Sequence, residues 1–219
     1  MNLYIAVEGE VGEIQVYRSW IPLVNPALSY VDHISEIRDN NFYIVSGGGY
    51  PNYFEVIDAA IQDVNNLSNI DRLVIAVDSE ELSYEEKLTE METYLAGSYC
   101  SSQVRIIVQH FCLETWALGN QKAIPQHPHN GTLYRYMNFY NVRSKDPALL
   151  PGYEVEYLNR CQFAEKYLRR ALNEKFRNLT YSKSNPTALL HHKYLERVQD
   201  RLSYTGHIES FRSFLQAFV

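Results

Sequence analysis

An α/β fold, with a parallel sheet followed by a helical C-terminal elaboration, is predicted by three observations. Apolar runs of strand length alternate with segments of helical period through the first half of the chain. Two of those runs, Leu3-Tyr4-Ile5-Ala6-Val7 and Leu73-Val74-Ile75-Ala76-Val77, are continuous and rich in β-branched residues, as strands buried on both faces must be. Each stops abruptly at carboxylates, Glu8-Gly9-Glu10 after the first and Asp78-Ser79-Glu80-Glu81 after the second.

The elements follow in order. Residues 3–7 form the first strand. From 13 to 28, apolar residues recur at Ile14, Val16, Tyr17, Trp20, Ile21, Leu23 and Val24, near helical spacing. Pro22 and Pro26 must shorten or kink that helix, because proline lacks the amide a helix interior needs. A second strand fits 42–45 and is broken by Ser46-Gly47-Gly48-Gly49 before an amphipathic helix over 53–67. The third strand ends at Val77, a helix covers 84–95, and a fourth strand covers 104–108. Such alternation is the pattern of parallel strands joined by right-handed crossovers.

The alternation ends at Gly119. Residues 119–132 form a loop rich in Asn, Gly, Pro and His, and helices are expected over 133–140, 154–175, 186–202 and 207–218. The expected organisation is an α/β domain over 1–118 and a helical elaboration over 119–219. At 219 residues, 46% hydrophobic and 21% charged, the chain has ample material for a core. No signal peptide is visible and no apolar stretch approaches the roughly 20 residues of a membrane span, so a cytoplasmic protein without membrane contact is expected. Cys100, Cys112 and Cys161 are widely separated and odd in number, which argues against a disulfide framework or a zinc ribbon and leaves them as core or surface thiols.

Charge is unevenly placed. Residues 1–132 carry six Lys+Arg against 18 Asp+Glu, a net of −12, whereas residues 133–219 carry 14 against eight, a net of +6. An acidic part holding carboxylate tips and a basic part suited to polyanionic backbone is one reading; a basic layer that complements the protein's own acidic face is the other. The 18 tyrosines likewise suit either base stacking or half-buried packing.

If the two acid-tipped strands are neighbours, their carboxylates converge where open α/β sheets bind ligands, outside the carboxyl ends of the strands. Oxygen donors there suit Mg²⁺ or Mn²⁺, while solvated loop acids that cap the next helix are the competing reading. Glu13, one loop from Glu8, fits either a ligand or a helix-start role. Gly47-Gly48-Gly49 lacks the Gly-Lys-Ser/Thr of a phosphate-binding loop and reads as a tight strand-to-helix turn. His127, His129, His191 and His192 lack a third ligand at a recognisable spacing and read as surface histidines. Glu114 interrupts the apolar run Phe111-Cys112-Leu113-Glu114-Thr115-Trp116, so its carboxylate needs a partner, whether metal, Lys, Arg or amide. Lys183, in a polar loop before a helix, is either a solvated lysine or a cation for a bound phosphate.

Val7-Glu8-Gly9-Glu10-Val11-Gly12-Glu13 resembles the V-E-G-x-x-x-E opening of the Toprim-like nucleases, in particular the OLD and RloB-like groups and a small Toprim-like family encoded beside ATPases in anti-phage operons. Gly12 stands where that opening often has Thr. Asp78-Ser79-Glu80 is similar to the Toprim D-x-D element with Glu for the second Asp, and residues 111–118 and 207–215 are similar to the F-E-x-W-L segment and the terminal helix of the small family.

The resemblance implies a Rossmannoid, Toprim-like sheet and a metal-dependent nuclease acting on DNA or RNA. Asp78, Glu80 and Glu8 would hold Mg²⁺ or Mn²⁺, with Glu8 also a base, Glu13 and Glu114 further ligands, and Lys183 a transition-state stabiliser. It also implies a toxic effector of anti-phage defence controlled by an ATPase partner, with homo-oligomers left open. Two alternatives stand beside it. One is a non-catalytic Toprim-like subunit of an ATPase complex. The other is a receiver-like Mg²⁺-binding signalling domain, which wants a lysine after a fifth strand that is not evident here.

Overall fold

The computed structural model describes residues 1–176 and 180–219. The chain divides into two compact units, the first made of Met1–Val77, Glu85–Val108 and Ser213–Val219, the second of Asp78–Tyr84 and Gln109–Arg212.

The first unit is built on a five-stranded parallel sheet in a Rossmann-like α/β arrangement, as the strand and helix alternation predicts. Its strands are β1 (Leu3–Val7), β2 (Ser29–Tyr30), β3 (Asn41–Ser46), β4 (Arg72–Asp78) and β5 (Gln103–Gln109), in the order β2-β3-β1-β4-β5. Leu3 pairs with Phe42 on one side and Arg72 on the other, and Val7 with Ser46 and Ala76. All five residues of β1 are buried, and the polar atom that their side chains carry, the Tyr4 hydroxyl, donates to Asp63 Oδ2 at 3.0 Å. β5 lies at the sheet edge, where Gln103 and Arg105 stay exposed. The chain leaves β1 towards β3 and leaves β4 towards β5, so the topological switch point falls between β1 and β4.

Helices α1 (Val11–Val24), α2 (Tyr53–Asn66) and α3 (Tyr84–Leu95) connect the strands. α1 carries Pro22 in its last turn, where the bond its missing amide forgoes falls close to the helix end, and stops before Pro26 with the Asn25 amide bonded to the Ile21 carbonyl. Its buried Tyr17 and Trp20 meet Phe214 edge-on at 5.1 and 5.9 Å, and Asn25 donates to the Phe218 carbonyl at 2.8 Å. Those contacts place Ser213–Val219 in the first unit, although its helical pattern continues that of the C-terminal half. β2 escapes the sequence because two residues carry no periodicity; its pairing with Asn41 and Phe42 defines it.

The second unit is helical: α4 (Leu113–Ala117), α5 (Gly131–Phe139), α6 (Arg160–Lys175), α7 (His192–Thr205) and the first residues of α8 (Phe211–Ala217). α6 starts six residues later than its periodicity suggests. Tyr157 takes the left-handed conformation (φ 53°), and Asn159 with Gln162 forms a capping box that fixes the true start. The 186–202 pattern likewise splits into a 3₁₀ turn at Thr187–Leu189 and α7, which Gly206 terminates at φ 69°. Tyr153 stacks on Phe163 at 4.9 Å, and Tyr136 meets Phe163 edge-on at 5.0 Å. Tyr17, Tyr53, Tyr136, Tyr153, Tyr167, Tyr181 and Tyr194 are all buried, so much of the tyrosine content serves packing. Among the described residues, no helix is long and apolar enough to cross a membrane.

Candidate functional site

The first acidic tip is organised by backbone contacts. Glu8 emerges from the end of β1 only 7% exposed, its amide bonded to the Ala76 carbonyl at 2.9 Å. The glycine segment after β3 wraps round this strand end. Gly47 N–H donates to the Val7 carbonyl at 2.6 Å, Gly48 N–H to Ser46 Oγ at 3.2 Å, and Gly49 N–H to the Glu8 carbonyl at 3.0 Å. All three amides are engaged, so they hold the turn together and leave no anion cradle. Gly47 is required by space: a Cβ there would lie 2.7 Å from Tyr53 Cβ and 3.0 Å from the Val7 carbonyl oxygen. Glu13 bends back, its Oε2 accepting from Gly9 N–H at 2.8 Å. Its helix-start reading therefore has a concrete form, a carboxylate in the first turn of α1 holding the loop that precedes it.

The second tip lies in the helical unit. Asp78, the last residue of β4, is half-buried. Ser79 N–H donates to the Gln109 carbonyl at 3.0 Å, and Glu80 N–H to the Phe111 carbonyl at 2.9 Å. Those bonds hold Glu80 at φ 52°, a left-handed conformation that costs a non-glycine residue about 1–2 kcal/mol. Glu80 is exposed there. Ser79 is fully buried, and its Oγ lies 2.8 Å from His110 Nδ1. Burial makes that pair a clasp between the ends of β4 and β5, since no substrate atom can approach a hydroxyl without access.

Glu114 has the partners its apolar setting demands. It is 2% exposed, and its Oε1 accepts the Tyr181 hydroxyl at 2.7 Å. Glu114 also holds Lys183 above the usual lysine range. Asp78, Cys112 and Glu165 add to that effect and desolvation opposes it. Lys183 is exposed, so those acids act on its charge from a distance. Burial and then the Glu114 charge keep Tyr181 protonated far above its ordinary value. The Cys112 thiol is pushed well up by its hydrogen bond with Cys161, then by burial and the carboxylates of Glu114 and Asp78.

Three residues singled out in the sequence, Asp78, Glu114 and Lys183, thus share one electrostatic cluster in the second unit. Tyr181, Cys112 and Cys161 join it unannounced; the only sequence signal was that Tyr181 lies two residues before Lys183. Glu8 and Glu13 lie in the first unit, and Glu80 is exposed on its turn.

The donor chemistry suits a hard cation of one kind. Mg²⁺ and Mn²⁺ are held by one or two carboxylates, with waters and substrate phosphate completing the shell. Asp78, at an open strand end and half-exposed, fits as such an anchor. Among the described residues, no three His, Cys, Asp or Glu side chains group closely enough for an all-protein cage. The His191 and His192 rings stack on each other at 4.4 Å. Much of the basic charge of the second unit is matched internally. Arg160 pairs with Glu81, Lys166 with Glu156, Arg169 with Glu165, Arg197 with Asp200 and Arg212 with Glu209. Arg143 and Arg201 donate to main-chain carbonyls. No protein-family model, curated protein or solved structure matches this chain.

Proposed function

We propose that the chain is a divalent-metal-dependent phosphodiester hydrolase acting on DNA or RNA, of Toprim-like descent. The observation that carries this reading is the cluster at the carboxyl end of β4, where the strand-end carboxylate Asp78 lies in the field of a lysine, Lys183, that the buried Glu114 holds protonated. A metal bound there, with Asp78 as anchor and Glu80 as a further candidate, would supply an activated water and neutralise phosphate charge; the family resemblance separately gives Glu8, in the first unit, a role in cleavage. The chain's own part is simpler. Lys183 offers an ammonium to a phosphate oxygen, and Glu114 favours its charged form, with Tyr181 orienting Glu114. Glu114 acts in this reading as the counter-ion of Lys183 and not as a ligand, and Glu13 as a clasp on Gly9. A cytoplasmic effector of anti-phage defence, restrained by an ATPase partner and able to self-associate, is the biological setting the family resemblance supports.

Calorimetry with Mn²⁺, alongside cleavage of plasmid and RNA with the ATPase partner present and absent, tests the reading. Asp78→Asn is expected to weaken Mn²⁺ binding strongly, and Asp78→Ala and Glu8→Gln to abolish cleavage. Unchanged Mn²⁺ affinity in Asp78→Asn, or cleavage retained by both Asp78→Ala and Glu8→Gln, overturns it.

Two other readings each have one observation in their favour. Engagement of Glu13 and Glu114 by protein partners favours a non-catalytic Toprim-like subunit. Lys183 in the field of Asp78 supplies the cation that a receiver-like domain needs, although from a loop after α6 and not after a fifth strand.

A further inference from the structure

Cys112 and Cys161 are distant in sequence and brought together by the fold of the second unit. Cys112 precedes α4 and is fully buried; Cys161 is the second residue of α6 and is partly reached by solvent. The Cys161 thiol donates to the Phe111 carbonyl at 3.6 Å, the peptide oxygen immediately before Cys112. That contact sets the Cys161 sulfur against the peptide that leads into Cys112, and Cys161 is among the groups that raise the Cys112 thiol. Arg160 lies over the Phe111 ring at 4.5 Å, which ties the start of α6 to the same segment. Closing a disulfide from there requires the two side chains to rotate until the sulfurs meet at about 2.05 Å. The third cysteine, Cys100, belongs to the other unit.

We propose that Cys112 and Cys161 form a peroxide-sensitive dithiol that closes reversibly to a disulfide. Cys161, the thiol solvent reaches, attacks one oxygen of hydrogen peroxide. Its sulfur becomes a sulfenic acid, the O–O bond breaks, and the other oxygen leaves as water. The Cys112 sulfur then attacks the Cys161 sulfur, the S–OH bond breaks, and the hydroxide departs as a second water with the Cys112 proton. Two thiols and one peroxide thus give one disulfide and two waters, and an added dithiol reverses the change. Closure draws the Cys112 side chain away from Thr115 Oγ1, which it contacts at 3.7 Å. The segment it moves bears the Phe111 carbonyl that holds Glu80 and leads directly to Glu114. Oxidation therefore reaches both acidic positions without either cysteine being part of the hydrolytic machinery, and the proposal stands whether or not the chain cleaves nucleic acid.

The test treats the full-length protein with hydrogen peroxide under native conditions. Remaining thiols are then alkylated in denaturant, and the non-reduced tryptic peptides are mapped by mass spectrometry. The expected result is loss of two alkylatable thiols and a linked species joining peptide 106–122 to peptide 161–166, restored by dithiothreitol. Cys161→Ser and Cys161→Ala, each with an unchanged melting profile, should abolish the linked species, and Cys100→Ser should leave it intact. Cys112 remaining fully alkylatable while Cys161 accumulates as sulfinic acid, or linkage through Cys100, overturns the proposal.

Discussion

Replacing Lys183 by methionine keeps a side chain of similar length and removes the ammonium whose charged form Glu114 favours. The buried Glu114 carboxylate would keep only the Tyr181 hydroxyl, at 2.7 Å, of the partners described above. Breaking a fully buried ion pair from one side costs about 3–5 kcal/mol, whereas exposed pairs contribute about 0–1 kcal/mol. Lys183 is exposed and acts on the enclosed Glu114 through its charge, with no close ion pair between them among the described residues, so the upper end of the exposed range, about 1 kcal/mol, is expected for Lys183→Met. For a chain of this size that is a fall of about 2–4 °C in melting temperature. Glu114→Gln removes the charge while its amide oxygen still accepts from Tyr181, and should cost about 1 kcal/mol or less. In the Glu114→Gln background, Lys183→Met should then cost little, which gives a coupling energy of about 0.5–1 kcal/mol in a double-mutant cycle measured by urea unfolding. A loss below about 0.5 kcal/mol for Lys183→Met, or the same loss in both backgrounds, would refute the counter-ion role assigned to Glu114.

Three further outcomes are expected. Burial and the Glu156 carboxylate push Tyr136 up to about 12, and Glu114 raises Lys183 above its usual range. Both values are raised on folding, so the stability they contribute is fully present below about pH 10 and declines as pH rises towards 12; an alkaline melting series should show that decline, and Lys183→Met should flatten it. Gly47→Ala forces a Cβ to 2.7 Å from Tyr53 Cβ and should cost about 1–3 kcal/mol in urea unfolding, whereas Gly49→Ala, with open space at φ 77°, should cost about 1–2 kcal/mol through its backbone alone; equal stability of wild type and Gly47→Ala would contradict the close approach of that turn to β1. Glu80→Gly relieves the left-handed strain while adding backbone freedom to the unfolded chain, so the two terms nearly cancel and the melting temperature should stay within about 3 °C. That variant removes a carboxylate at little structural cost, and a loss of Mn²⁺ affinity in it would assign Glu80 to the metal directly.

What the amino-acid sequence determined by itself is the set of elements whose signals are local. The buried run 3–7, the amphipathic pattern ending near residue 66 and the helix over 84–95 each carry their periodicity within one segment, so the α/β class and most boundaries were legible. The glycine turn at 47–49 was legible for the same reason, and the structure supplies its cause in the crowding of Gly47 against Tyr53. Boundaries set by a single backbone conformation were not legible. Tyr157 at φ 53° and the Asn159 cap delay α6, and no periodicity records a positive φ.

Only the tertiary structure decided what each polar residue faces. The sequence required that Glu114 have a partner, because an ionised group in an apolar run cannot stay bare, but it left metal, lysine and amide equally admissible. The fold chose the Tyr181 hydroxyl, with the charge of Lys183 acting from the same distant loop. It likewise joined Cys112 to Cys161, and it packed Phe214 and Phe218 with the first unit although their helical pattern belongs with the second half. The physical reason is one of range. Hydrophobic periodicity acts between neighbours in sequence, whereas hydrogen bonds, ion pairs and thiol contacts depend on where the chain returns after many residues, which no local pattern encodes.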